Sequence, residues 1–218
     1  MSDLKAYNKR YDSYSIYERM EQLYKDFDED DIMLTSAFSS YSAILLKVIS
    51  DINHSQVIYF IDTGHHFKET LDYKDYLTNL YQLNIVSISA SDEQQLKCNE
   101  QELWLHKPND CCYFNRVKPL EEVKQRYKIW VSGVMKWQTA NRSRLSLFEP
   151  KSNMIKFHPL LDMDITARDE FIKSNDLPPH PLRDKGYDSI GCSHCTKIGK
   201  GRSGRWEASD KTECGLHL

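Results

Sequence analysis

Apolar positions in the first ninety residues alternate between a helical period and short strand-length runs. Ile16, Met20, Leu23 and Phe27 recur at helical spacing behind Ser15 and Glu18. That S-x-x-E pair offers two reciprocal caps to a first turn, so an amphipathic helix is predicted there. The residues before it, up to about Tyr14, read as a polar lead-in. Residues 32–38 form an apolar run of strand length that enters a serine-rich turn at 36–42, and residues 43–49 continue as a helix with one very apolar face. A second strand, 57–61, ends in Asp62-Thr63-Gly64 and is followed by a helix over 67–81 and a third strand over 85–89. Strand–loop–helix units in succession imply an α/β fold, a parallel sheet flanked by crossover helices. Ligands of such sheets sit over the carboxyl ends of the strands, where the serine turn and the Asp-Thr-Gly turn both fall.

The rest of the chain is read more coarsely. A helix over 92–104 leads to Cys111-Cys112, which opens another helix running to about Arg126. Residues 129–132 and 154–157 read as further strands and 164–174 as a late helix, while Leu177-Pro178-Pro179-His180-Pro181 ends regular structure. No internal repeat or linker divides the chain. The expectation is one domain over 1–218, with 196–218 as a flexible tail.

Composition narrows the class. The 218 residues carry a formal net charge of −3, which gives no case for non-specific nucleic-acid binding. No apolar run approaches a membrane span, and the polar start has no signal-peptide core, so a cytoplasmic setting is expected. In a reducing compartment six cysteines point to metal or redox chemistry more than to structural disulfides.

The chemistry concentrates near the end. Cys192 and Cys195 form a C-x-x-C pair, Arg202 and Arg205 follow as R-x-x-R, and Cys214 stands between Lys211 and His217. A thiol with cationic neighbours is a candidate nucleophile. Cys111-Cys112 with the C-x-x-C makes a possible four-thiolate set, for which structural zinc is the ordinary reading. Adjacent side chains on a helix diverge by about 100°, which favours an iron–sulfur cubane, whose irons sit at separate corners, over one small tetrahedral ion. A vicinal disulfide is a strained third option, and Cys98 reads as a buried small hydrophobe. The serine turn resembles a phosphate cradle at a helix N-terminus, although a plain capping turn gives the same pattern. It lacks the Gly-Lys-Ser/Thr ending of a nucleotide-hydrolysing loop. Arg142, Arg202 and Arg205 look placed to grip an anion, Lys118 and Lys136 look solvated, and His65, His66, His158 and His180 read as turn or packing residues.

Taken together, the serine loop, I-D-T-G-x-x-F-x-E-T, C-C…K-P-L, W-x-x-G…Q-T-x-x-R, G-Y-x-S-I-G-C-x-x-C-T, R-x-G-R-W and the closing K-T-E-C-G-L-H resemble the assimilatory sulfonucleotide reductases over nearly the whole chain from Thr35. The resemblance implies an adenine nucleotide α-hydrolase-like, Rossmann-like fold and reduction of activated sulfate to sulfite and AMP through an enzyme S-sulfocysteine. Both cysteine pairs are present, which in that family implies a 4Fe–4S cluster on Cys111, Cys112, Cys192 and Cys195, and adenylyl sulfate (APS) as substrate. The 3′-phosphorylated nucleotide, alone or in dual use, is the alternative. Carried over by position, Cys214 is the nucleophile. Ser36, Ser39, Ser42, Asp62, Thr63, Gly64, Arg116, Arg142, Arg202, Arg205 and His217 fall on the substrate side. No redox domain is fused before Leu218, so thioredoxin or glutaredoxin is the expected reductant, and a homo-oligomer is left open. Two positions depart from the pattern: C-C-x-x-R-K reads Asn115-Arg116 here, and the arginine pair of G-x-R-R-x-Q-S reads Met135-Lys136. Two other readings fit part of the pattern. A cluster-bearing sensor without turnover would have no use for Cys214 in its full motif, and a tRNA-thiolating relative would need an S-G-G-x-D-S loop.

Overall fold

The computed structural model describes residues 4–207 and 211–216, so the expectation for His217 lies outside the described residues. The chain begins with α1 (Leu4–Asp12) and α2 (Ile16–Asp26). The capping box of α2 is present: the Ser15 hydroxyl accepts from the Glu18 N–H, and the Glu18 carboxylate accepts from the Ser15 N–H. Residues 4–12 are thus a helix where a polar lead-in was expected. Its buried face is built from Leu4, Tyr7 and Tyr11, at i, i+3 and i+7, and tyrosine hides such a stripe in a binary pattern.

The sheet then forms around β1 (Ile32–Thr35). The chain passes through α3 (Ser42–Ile52), β2 (Val57–Asp62), α4 (Lys68–Tyr81) and β3 (Asn84–Ser89), stepping outward from the centre. The helices α5 (Asp92–Glu100), α6 (Leu103–His106) and α7 (Pro108–Cys112) follow, and a π turn (Tyr113–Val117) joins α7 to α8 (Lys118–Lys124). The single helix expected over 92–104 is split because Glu102 takes a left-handed conformation, φ 44°. The chain then crosses back to β4 (Ile129–Val131), the hairpin β5 (Phe148–Lys151) and β6 (Met154–Phe157), and α9 (Ile165–Ser174).

Strand order is β3-β2-β1-β4-β6-β5, with β5 the antiparallel edge and the other neighbours parallel. β5 escaped the sequence pattern because it is short and carries Pro150, which suits only an edge. Asn8 of α1 covers that edge, its side chain bonding both the N–H and the carbonyl of Phe148. Alternation along the strands makes two cores. Ile32, Leu34, Ile58, Phe60, Ile129, Val131 and Phe157 face α1 to α4, while Met33, Tyr59, Ile61, Trp130 and Met154 face α8 and Leu216. The order of strands reverses between β1 and β4, which is where a sheet of this kind opens a crevice at its carboxyl edge.

Candidate active site

A cavity of about 550 Å³ occupies that crevice. Its floor comes from the ends of β1 and β4, Thr35-Ser36 and Ser132-Gly133-Val134. The serine turn forms one wall. Phe38 holds it in shape with a left-handed φ of 46°, and its fully buried ring packs edge-on against Phe60. Two hydroxyls serve the turn itself, Ser36 Oγ accepting from the Phe38 N–H and Ser42 Oγ from the Ser39 N–H, while Ser40 Oγ donates outside it to the Asp188 carbonyl. Ser36, Ser39 and Ser42 all line the cavity at the N-terminus of α3.

The opposite wall is the C-terminal segment. Arg116, Arg142, Arg202, Arg205 and Cys214 share the same cavity. The segment is pinned by a bridge between Thr196 and Arg205 and by the Trp206 N–H donating to the Cys195 carbonyl. Arg205 lies so close over Gly191 that a Cβ there would collide with its guanidinium. Burial, then the like charges of Arg202 and Arg116, pull the Arg205 pKa down to about 10. An anion would relieve that crowding. Arg142 spends its donors differently: Nε lies 2.7 Å from Glu213 Oε1 and Nη2 lies 2.9 Å from Oε2, and Nη1 bonds Gln138. Glu213 is 2% exposed, so the residue just before Cys214 is buried against a cavity arginine.

The four expected cluster cysteines come together from two sides. Cys111 and Cys112 end α7, and Cys192 and Cys195 sit on a turn docked against the loop after β2. There Cys192 bridges His66, and the Ser193 N–H donates to the His65 carbonyl. Thr63 Oγ1 lies 3.3 Å from Cys192 Sγ, so Asp62-Thr63-Gly64 borders the sulfurs; none of the three lines the cavity. Gly64, φ 70°, closes the turn with its N–H on Asp62 Oδ1. His66 does line the cavity; burial, then Arg116, push its pKa down to about 4, so it is neutral near pH 7.

The π turn carries Asn115 and Arg116 from the first pair toward the second. Asn115 Nδ2 lies 3.7 Å from Cys111 Sγ, and Arg116 Nη2 lies 3.1 Å from Cys192 Sγ. Single π turns inside helices recur at functional sites. Burial raises Cys111 to about 11 and Cys112 to about 12. Burial likewise pushes Cys192 up, but Arg116, Thr63 and Arg205 more than offset it, and its pKa falls. The charges of Cys192 and Cys195 reach Cys111, yet among the described residues no three Cys, His, Asp or Glu side chains surround one point where a single ion could sit. Four thiols converging on one region are the donor type an iron–sulfur cluster takes, each at its own corner.

Sequence reasoning missed several cavity residues. Tyr41, Trp137, Arg168 and Arg183 line it, with both arginines stacked over the Tyr41 ring at 4.5 and 4.8 Å. Their side chains lie far apart in the chain, and no motif singled them out. Met135, a departure from the family pattern, is fully buried in the main core and does not line the cavity.

The reversal point, the serine wall and the crowded arginines define an α/β protein with a cationic cavity that holds a thiol. The family model for the phosphoadenosine phosphosulfate reductase domain matches residues 31–198. An adenosine 5′-phosphosulfate reductase of Lysinibacillus sphaericus is 38% identical over 197 residues, covering 86% of this chain and 84% of that protein. One from Staphylococcus epidermidis is 36% identical over 212 residues, covering 93% and 86%. Among solved structures, the phosphoadenylyl-sulfate reductase of Candida auris superimposes with a TM-score of 0.76 at 25% identity, over 88% of this chain and 95% of that one. An FMN adenylyltransferase of Candida glabrata, 15% identical with a TM-score of 0.61 over 91% and 68%, shares the fold alone. The chain belongs to the sulfonucleotide reductase family.

Proposed function

We propose that this chain reduces adenylyl sulfate to sulfite and AMP in sulfate assimilation, with Cys214 as the nucleophile. The observation that carries the reading is Cys214 in one cavity with Arg116, Arg202 and Arg205. The Cys214 thiolate attacks the sulfur, a sulfur–sulfur bond forms, and the bond from sulfur to the AMP phosphate oxygen breaks. AMP leaves with that electron pair, and the arginines offset its growing charge. A thiolate of an external dithiol, thioredoxin or glutaredoxin, then attacks Cys214 Sγ and expels sulfite. Its second thiol resolves the mixed disulfide, so the dithiol is oxidised and Cys214 restored.

Cys111, Cys112, Cys192 and Cys195 would hold a 4Fe–4S cluster as thiolates, each giving up its proton, and Arg116, 3.1 Å from Cys192 Sγ, would place a positive charge beside them. One domain over 1–218 with a flexible tail over 196–218 that carries the nucleophile suits this cycle, as does a reducing cytoplasm. Among the described residues no helix is long and apolar enough to cross a membrane.

The test uses the purified full-length chain. With adenylyl sulfate and no dithiol, one sulfonate should appear on the Cys214 peptide. With reduced thioredoxin, kcat/KM should favour adenylyl sulfate over its 3′-phosphorylated relative. An adduct elsewhere overturns the mechanism, and a reversed preference overturns the substrate.

A further inference from the structure

Cys214 is held from both sides. Before it, Glu213 is tied to Arg142, and the Thr139 hydroxyl donates to the same carboxylate at 3.1 Å. After it, the Leu216 carbonyl accepts from Lys156 Nζ at 2.5 Å, and the Leu216 side chain packs on the second core. Gly215, φ 92°, is the turn between Cys214 and that second anchor.

Lys156 is an unusual residue to find there. It sits on β6 opposite Trp130 of β4 and Glu149 of β5, and it is 4% exposed. Alternation puts it on the same sheet face as Trp130 and Met154, among apolar side chains. Lysines normally lead their charged end out to water. This one stays inside, with Nζ 4.1 Å from the centre of the Trp130 ring. Burial, then Lys151 and Lys124, draw its pKa down to about 7, and ammonium and amine alike can donate an N–H to a carbonyl.

We propose that Lys156 is a positioning residue for the reaction: by holding the Leu216 carbonyl it keeps the C-terminal segment docked so that Cys214 faces the cavity. The proposal rests on the reading of Cys214 as nucleophile. Lys156 lines no part of the cavity and acts only through the segment it holds. Among the described residues the first anchor is a buried ion pair with several hydrogen bonds, and the second joins a main-chain carbonyl to Lys156 and a leucine to the second core. Letting go of the second anchor, with the turn at Gly215, exposes the sulfonated Cys214 to an external thiol.

The two half-reactions separate this role from a structural one. In full-length Lys156→Met, nucleotide-free protein should alkylate at Cys214 with iodoacetamide about fivefold faster, the scale of one hydrogen bond. Single-turnover release of AMP from adenylyl sulfate should slow by a similar factor, while release of sulfite from pre-formed sulfo-enzyme by reduced thioredoxin should not slow. Leu216→Ser, which leaves the sheet intact, should give the same pattern should Lys156→Met fold poorly. Unchanged alkylation and AMP release in either folded variant, or equal slowing of both half-reactions, overturns the proposal. Absence of any sulfonate adduct in the wild type would instead overturn the functional reading beneath it.

Discussion

Replacing Arg116 by alanine tests the link between the cysteine set and the cavity most directly. The side chain spans both: its Nη2 is 3.1 Å from Cys192 Sγ, and it lines the cavity beside Cys214. Burial works against its charge, but the fields of Cys192, Cys214 and Cys112 overcome that penalty and push its pKa up. Among the described residues no carboxylate pairs with it, so its charge is balanced by sulfur and by whatever anion binds. A hydrogen bond involving a charged group is worth roughly 1.5–3 kcal/mol. If that interaction is made in the transition state, its loss lowers kcat/KM by about 10- to 100-fold. Lysine keeps the charge but loses the planar fork, so Arg116→Lys should retain much of the activity.

The assay is steady-state kcat/KM with adenylyl sulfate and reduced thioredoxin, with iron measured on the same samples. Arg116→Ala with full iron and kinetics within about threefold of wild type would refute the reasoning. Iron lost from the alanine variant but kept by the lysine variant would assign Arg116 to holding the cluster.

Cys214→Ser should abolish turnover while nucleotide binding and iron content stay at wild-type levels, read by calorimetry and metal analysis. Anaerobically purified protein should hold about four irons per chain, lost on replacing Cys111 or Cys112 by serine; stoichiometric zinc without iron would refute this. Burial raises the Asp162 carboxyl, but its bidentate contact with buried Arg19 outweighs that and holds its pKa low. Its contribution to stability is therefore present above the ordinary carboxyl range, about 4, and is lost as pH falls through the lower folded value. Asp162→Asn should lower the thermal midpoint at pH 7 and flatten its acid decline.

Much of this was legible in the chain because one local rule decided each feature. The α2 cap, the buried strands β1, β2 and β6, and the parallel order all follow from spacing and length. What stayed hidden depends on distant residues. β5 looks like a loop until Asn8 of α1 caps its edge, and α1 looks polar until Tyr11 meets Phe148 and Phe157. From sequence the serine turn reads as a phosphate cradle or as a plain cap. Two of its hydroxyls bond within the turn, and the turn still faces the cavity. The π turn at Tyr113–Val117 had no local signal, yet it lies between the vicinal cysteines and Arg116's contact with Cys192.

The net charge of −3 conceals the most consequential feature, a cavity whose charge is locally positive. Arginines crowded in a partly buried space repel one another, and a bound anion would relieve that repulsion. Glu213 divides the work. Its carboxylate pairs with Arg142 and lies 3.6 Å from Arg202, so those two cations belong in part to the docked segment. Arg116 and Arg205 have no carboxylate among the described residues, so in the proposed reaction their charge faces the nucleotide unmatched. Docking the segment and binding the substrate would thus draw on one group of charges, with Arg202 serving both. Cys214 lies next to Glu213, so the ion pair that satisfies Arg142 also brings the thiol to the cavity. A segment held by charges the substrate would also feel can close on an anionic nucleotide and loosen once AMP has gone, which is the order the proposed attack and reductive release require.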